Sequence, residues 1–406
     1  MLSPEYLRRI TEGSEQIAEE LHQYIISEIV SRMMARIGRG EDYILTNADV
    51  WRIRTLQESG ELLEDILAEL SQYTKREQQE LLEAFEDAGI TAMNYDDKIY
   101  QAAGLSPMPL TQSPALIRLM ERNYNATLGE WRNMTRSTAE AAQKLFLNEC
   151  DFAYNKVMSG ATSYSQAVRE AVEAVASGGV YVDYPSGHRD TIEVATARAV
   201  RTGIAQAAGD ISIKRMEEMD WDIILVSAHI GARTGDGGQN PGNHLWWQGQ
   251  FYSRTGRDKH FPNFYERTGY GTGVGLSGYN CRHSFGSGDG VNNPYADIQT
   301  ADNVRVEKLE QRQRALERRV RKTKREVMGL QEAVDKCQDE AARFELQQTL
   351  DRKSYLLSRQ NKAYNEFCKE NSLRPLSERL QIARWNREQA AKARGAARRY
   401  QNAKGE

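Results

Sequence analysis

Between Ser227 and Ser284 the 406-residue chain gathers its most reactive side chains. Ser227-Ala228-His229-Ile230-Gly231-Ala232-Arg233 is followed by His244, by Trp247-Gln248-Gly249, and by Tyr279-Asn280-Cys281-Arg282-His283-Ser284. Imidazole nitrogen and thiolate sulfur are zinc ligands, which makes His229, His244, Cys281 and His283 four candidates. Cys281 and His283 are two residues apart, a spacing for two ligands on a turn, and no second close pair completes a finger pattern. A nucleophilic pair is the second option, with Cys281 activated by His229 or His283, but no orienting acid or amide can be picked out. Gly271-Thr272-Gly273-Val274-Gly275 has the glycine content of a phosphate cradle and lacks the lysine of a P-loop. Nothing forms a Ser-His-Asp triad or a two-carboxylate hydrolase set. The plainer reading is a structural network in which His and Arg bond to loop carbonyls, with no catalytic residue and no cofactor, zinc being the one ion these side chains would suit.

These residues need a scaffold. Trp221 to Val226 is a short β-branched run and the best buried strand in the chain. After it, residues 227–295 hold about half of the 31 glycines, together with Trp246, Trp247, Tyr252, Phe261, Phe264, Tyr265, Tyr270 and Tyr279. A flexible linker is poor in aromatics, so this is expected to be a long ordered loop region packed on the strand. Before it, Ser163 to Ser177 reads as a helix ended by Gly178-Gly179. Val180 to Tyr184 alternates like a strand, Pro185-Ser186-Gly187 is a turn, and Thr191 to about Met219 is helical again.

The flanks are helical. Ser3-Pro4 offers an N-cap with proline at the first helical position, and Ile17, Leu21, Ile25, Ile29 and Met33 form one apolar face up to the break at Gly38 to Gly40. A second helix can start at Thr46 or Asn47; Thr74-Lys75-Arg76-Glu77 reads as a capping box that starts another, ended by Asp87-Ala88-Gly89. Three prolines mark a loop between Gly104 and Pro114, and Leu116 to Met158 is a long helix. Near the other end, Val306, Leu309, Gln313, Leu316, Val320, Thr323, Val327, Leu330, Val334 and Cys337 make a coiled-coil seam. A second seam, Leu346, Leu350, Leu357, Tyr364 and Phe367, is out of register with the first. Either an antiparallel hairpin turns near Lys336 to Asp339, where no Gly or Pro marks the turn, or one helix continues with a stutter. Beyond Pro375 a polar helix carries the basic run Lys392, Arg394, Arg398, Arg399 and Lys404.

The fold class is therefore α+β and mostly α, in three consecutive parts: an acidic helical scaffold at 1–160, a mixed α+β domain with Gly/aromatic loops at 161–300, and a basic coiled coil or helical hairpin at 301–406. The net charge of −3 is a cancellation. Residues 1–100 carry 10 Lys and Arg against 21 Asp and Glu, whereas residues 304–406 carry 26 against 15. An acidic end repels nucleic acid and suits a basic protein partner, and a basic end can meet phosphates. Four scattered cysteines without a CxxC pair argue for reduced thiols and synthesis in a cytoplasm. No apolar run approaches the ~20 residues of a spanning helix, and Glu5, Arg8 and Arg9 stand where a signal peptide needs apolar residues. Membrane insertion and secretory export are not expected.

The series Arg201-Thr202, Trp221-Asp222, Ser227 to Arg233, Trp247-Gln248-Gly249, Gly271 to Gly275 and Asn280-Cys281-Arg282-His283 resembles the phage minor capsid protein 2 family, itself similar to the phage Mu F-like minor head proteins. Ser186-Gly187 with Arg189, the seam from Val306 and the stretch Tyr364 to Arg374 also fit, so the resemblance spans most of 160–380. Between Arg233 and Trp247 this chain inserts a Gly/Asn-rich segment, Thr234 to Asn243, where the family's spacing is shorter. The resemblance implies a non-enzymatic virion protein of a tailed phage, made in the host cytoplasm. It would act near the portal or inside the head, with portal and capsid proteins as partners. Ser227, His229, Gly231, Arg233, Trp247, Gln248, Gly249, Asn280, Cys281, Arg282 and His283 would be its motif core. Packaged double-stranded DNA is a further expected partner, reached through Arg318, Arg319, Arg321, Lys322, Lys324 and Arg325. Two other readings stand beside it: a virion-carried enzyme, either a zinc-dependent hydrolase or a nucleotide-modifying toxin built on His229, Cys281 and His283, and a non-specific DNA-binding protein using the basic helices.

Overall fold

Apolar residues at helical spacing dominate the chain, and the computed structural model, which describes residues 1–45, 48–184, 186–298 and 300–405, is built mainly of helices. In order these are α1 (Pro4–Arg9), α2 (Glu12–Ile37), α3 (Glu41–Ile44), α4 (Ala48–Ala102), α5 (Pro114–Met158), α6 (Tyr164–Gly178), α7 (Ile192–Glu218), the short α8 (His244–Trp247) and α9 (Phe264–Thr268), α10 (Asn303–Lys336), α11 (Glu340–Glu370) and α12 (Arg387–Lys404). The strands are β1 (Tyr181–Asp183), β2 (Arg189–Thr191), β3 (Ile223–Val226), β4 (Phe251–Ser253) and β5 (Phe285–Ser287). The class is the mostly α form of α+β that the sequence indicates. The helix start expected at Thr46 or Asn47, and the Pro185 corner of the expected turn, lie outside the described residues.

The chain folds into two compact units, each assembled from three separate stretches. One holds Met1–Glu15, Lys75–Arg132 and Val194–Gln311; the other holds Gln16–Thr74, Asn133–Glu193 and Arg312–Glu406. The sequence predicts three consecutive parts, whereas these units interleave along the chain. The boundaries of the units fall inside α2, α4, α5, α7 and α10, so single helices supply residues to both. No composition shift marks such a boundary.

The first unit carries the sheet. β3 is its central strand, antiparallel to β4 and to β5 in the order β4-β3-β5, with Ile224 opposite Tyr252 on one side and Ser287 on the other. A core of Met216, Ile224, Val226, Trp247, Tyr252, Phe264, Leu276, Cys281 and Phe285 packs around it. A second cluster joins Leu2 and Leu7 to Leu81 and Phe85 of α4, Leu128 of α5, and Val200 and Ile204 of α7. The capping box expected at Thr74 and the helix end expected at Gly89 are both overturned by α4, which runs unbroken through them. The Thr74 hydroxyl donates to the Leu70 carbonyl one turn back (2.7 Å), and Glu77 is buried rather than reaching back as a cap. Gly89 serves close packing: a Cβ there would stand 3.0 Å from Met120 of α5.

In the second unit α2 buries Ile17, Leu21, Ile25, Ile29 and Met33, the face read from the sequence. β1 and β2 form an antiparallel hairpin. The two C-terminal seams make an antiparallel helical hairpin within the chain: Gln313 of α10 meets Tyr364 of α11, and Glu326 meets Lys353 at 2.9 Å. Its turn needs neither Gly nor Pro. The amides of Gln338 and Asp339 both donate to the Gly38 carbonyl, at 2.9 and 3.1 Å, and Asp339 Oδ1 caps α11 by accepting from the Ala342 amide at 2.8 Å. α12 packs along α11, burying Ala393, Ala396 and Ala397, and Arg399 makes a two-pronged bond to Asp351.

Candidate functional site

β3 delivers the chain into the motif region, and the loops that follow close on its end. The Ser227 amide donates to the Ser284 carbonyl and the Ser284 amide to Ser227 Oγ, so the SAHIGAR and NCRH segments leave the sheet side by side. Trp221-Asp222 anchors the other end of the strand. The Asp222 carboxylate accepts from the hydroxyls of Ser253 and Thr255 and from the amides of Thr255 and Asp258. Burial pushes that carboxyl upward, but the four hydrogen bonds overcome it and hold the pKa at about 2.

Three buried ring or sulfur groups converge beyond the strand: His244, Cys281 and His283, none more than 2% exposed. Cys281 Sγ lies 3.6 Å from His283 Nδ1 and 3.8 Å from His244 Nδ1, and it receives the His283 amide at 3.4 Å. Trp247 packs against both rings, with centroids 4.5 Å from His244 and 4.9 Å from His283, and its indole donates to the Pro241 carbonyl. His229 stacks on His283 at 4.5 Å, its Nδ1 lying 2.9 Å from the Ile230 carbonyl, and it stands outside the triad. Of the four ligand candidates the structure therefore draws three together, with His244 rather than His229 as the third. The inserted segment Thr234–Asn243 does not displace His244. It folds on itself through Asp236, Asn240 and Asn243, and the amide of His244 donates to the Arg233 carbonyl.

Gln248 fixes the tautomer of His283. Its Oε1 accepts from the His229 amide at 3.0 Å, so the same oxygen faces His283 Nε2 at 2.9 Å. Nε2 must then carry the hydrogen, leaving Nδ1 bare toward the sulfur. His244 Nε2 is within reach of the Val274 carbonyl (3.0 Å) and of the Arg233 guanidinium (2.8 Å). Burial, with Arg233 assisting, lowers the pKa of His244 to about 4, and burial first, with the neighbouring His229, His244, Arg282 and Arg233 opposing a further positive charge, holds His283 well below its ordinary value. Burial also pushes the Cys281 thiol up. These shifts favour neutral imidazoles and a protonated Cys281 thiol near neutral pH.

The rest of the motif holds backbone. Gly231 has φ of +82°, a conformation in which a side chain is strained, and places its amide and that of Ala232 on Asn303 Oδ1 at 2.8 and 2.9 Å. Asn303 Nδ2 returns to the Ala232 carbonyl at 2.8 Å. Arg282 donates to Glu310 at 3.1 Å, and Asn280 supplies a left-handed turn residue at φ +57°. Asn303, fully buried at the start of α10, is the residue that sequence reasoning missed; an asparagine at a helix start reads as ordinary capping chemistry. Removing it leaves two amides and a carbonyl without partners in the interior. Asn303→Ala is expected to destabilise the chain by about 2–3 kcal/mol in urea denaturation, and a loss under about 0.5 kcal/mol would show that the loop is held elsewhere.

The cations assigned to nucleic acid divide. Arg318, Arg319 and Lys322 are exposed on α10. Arg321 donates to the Arg379 carbonyl and Lys324 to the Leu380 carbonyl. Arg325 is buried between Glu19 and Glu193. Lys324 and Arg325 are therefore corrected to interior positions that cannot reach a phosphate.

Among the described residues no helix is long and apolar enough to cross a membrane. No curated protein and no solved structure matches the chain. A family model described as phage minor capsid protein 2 matches residues 2–357, taking in the amino-terminal helices and stopping short of Tyr364–Arg374. With the match covering most of its length and the whole of the motif-bearing loops, the chain belongs to the phage minor capsid protein 2 family.

Proposed function

We propose that this protein is a structural component of a tailed-phage head, placed near the portal or inside the capsid, where it serves virion assembly and the packaging or delivery of DNA. The observation that carries the reading is the family match over residues 2–357. The construction of the motif region supports it: Asn303, Arg233, Arg282 and the Gln248 Oε1 hold loop backbone or neighbouring side chains, as a structural element requires. Portal and capsid proteins are the proposed partners and the virion the proposed location. Fractionating assembled particles tests this; the chain should appear at low copy number in portal-containing fractions, and its confinement to the lysate would reject the reading.

Packaged double-stranded DNA is the second proposed partner, favoured by the exposed Arg318, Arg319 and Lys322 on one stretch of α10. Such contacts neutralise phosphates without reading sequence and weaken with salt. Changing all three to glutamine is expected to lower the slope of log affinity against log salt by about 2–3 on duplex DNA, at roughly 0.9 per phosphate contact. An unchanged slope removes this surface from consideration.

A further inference from the structure

We propose that His244, Cys281 and His283 form a zinc site that staples two segments of the first unit, α8 and the Cys281 turn. The ion would be held by His244 Nδ1, Cys281 Sγ and His283 Nδ1, with water in the fourth position. This inference is independent of the role in the phage head and would stand if that role failed.

Distance is the first argument. Zinc bonds sulfur at about 2.3 Å and imidazole nitrogen at about 2.0–2.1 Å, so a tetrahedral site sets each N···S edge at roughly 3.6 Å. The two N···S separations here are 3.6 and 3.8 Å, and all three ligand atoms lie within 4.8 Å of one another. Either separation alone also suits an S–H···N hydrogen bond; what points to a metal is that both imidazole nitrogens converge on the one sulfur.

The surroundings are the second argument. A zinc-bound histidine ordinarily donates its remaining ring N–H to a carbonyl or carboxylate, which fixes the ring. Gln248 Oε1 does this for His283, and its orientation is enforced by the His229 amide rather than chosen freely. The Val274 carbonyl is placed to accept from His244 Nε2 at 3.0 Å, beside the Arg233 guanidinium at 2.8 Å. The His283 amide, pointing at Cys281 Sγ, would donate to the thiolate. On binding, the thiol proton leaves to solvent and the sulfur lone pair forms the Zn–S bond, with no change of oxidation state. With zinc on Nδ1, His244 Nε2 would carry the hydrogen and donate to Val274, and the Arg233 guanidinium, 2.8 Å from Nε2, would turn to the Val274 and Tyr279 carbonyls it approaches at 3.4 Å.

A second cluster sharpens the contrast. Glu19, His22 and Glu193 also bring their ligand atoms together, but the Arg325 guanidinium already fills that position as the cation. At the His/Cys/His triad the neighbouring cation, Arg233, approaches His244 at Nε2, not at the Nδ1 that faces the sulfur. The ligands come from α8 and from the two sides of the Cys281 turn, and His244 follows the inserted segment directly. Zinc would thus tie the NCRH turn to the WWQG segment at a place where the two outer strands of the sheet are only three residues long.

The test uses the untagged full chain produced with added zinc and exchanged into metal-free buffer. Elemental analysis should return about one zinc per chain, and X-ray absorption at the zinc edge should fit two imidazole nitrogens and one sulfur. Replacing zinc by cobalt should give a thiolate-to-metal charge-transfer band. Cys281→Ser and His283→Asn should each retain less than a tenth of the wild-type zinc. If those variants do not fold, the absorption and cobalt spectra of the wild-type chain decide alone. A folded wild-type chain holding less than about a tenth of an equivalent, or zinc with an all-oxygen shell, overturns the proposal.

Discussion

Replacing Arg325 with alanine is expected to destabilise the second unit by about 3–5 kcal/mol, because it strands two carboxylates in the interior. Arg325 donates Nε to Glu19 at 3.0 Å and shares its remaining face between Glu19 and Glu193, while Glu193 also accepts from Thr191 and pairs with His22 at 3.0 Å. Burial alone would raise the Glu193 carboxyl; Arg325 first and His22 second reverse this and hold it well below 4.5. A depressed carboxylate contributes stability that is complete above its unfolded pKa and is lost as pH falls through the folded value. The variant should therefore be weakest against wild type near neutral pH, with the gap closing on acidification as the stranded carboxylates take up protons. Urea midpoints at several pH values measure this. A triple change, Glu19→Gln, Glu193→Gln and Arg325→Met, should recover most of the loss, since it removes the charges together. A deficit below about 1 kcal/mol at neutral pH, or one that widens in acid, would show that the ion network does not hold the unit.

The second large effect is expected at Trp247. It is fully buried, faces His244 and His283, donates to Pro241 and, through its carbonyl, receives the Tyr252 hydroxyl at 2.5 Å. Trp247→Ala should cost about 3–5 kcal/mol, the range for emptying an aromatic site that cannot collapse. Trp247→Phe keeps a ring against the imidazoles and loses the indole hydrogen bond, so its cost should be smaller by about half. Urea unfolding followed by near-ultraviolet circular dichroism reads both. Equal losses for the two variants would mean that the hydrogen bond to Pro241, rather than the packed ring, does the holding.

Local signals in the sequence were reliable where the cause is local. Ser3 caps α1 by accepting from the Tyr6 amide, Ser163 caps α6 by accepting from the Gln166 amide, and the run at 221–226 became the central strand. The same local chemistry misled at Thr74 and Gly89, where a side-chain bond to the preceding turn and a close approach by Met120 keep a helix going. For the site, the motif residues were legible by type, but His244 lies 37 residues before Cys281 and Asn303 some seventy residues from the amides it holds. Which imidazole faces the sulfur depends on a glutamine oxygen, and no spacing rule encodes that.

What the sequence determined by itself was the helical periodicity, the motif series that places the chain in its family, and the sum of charges. Tertiary structure decided how those charges are used. The acidic and basic ends looked like two separate faces, yet Glu19 near one end and Arg325 near the other are buried together in the second unit, and Lys324 turns inward to a carbonyl. The physical reason is that a charge keeps its identity along the chain, whereas its exposure depends on what the fold places against it. A buried guanidinium is stable only beside carboxylates, so the cation nearest the acidic helix was drawn inside. Arg318, Arg319 and Lys322, on the outer face of the same helix, were left for solvent or a polyanion.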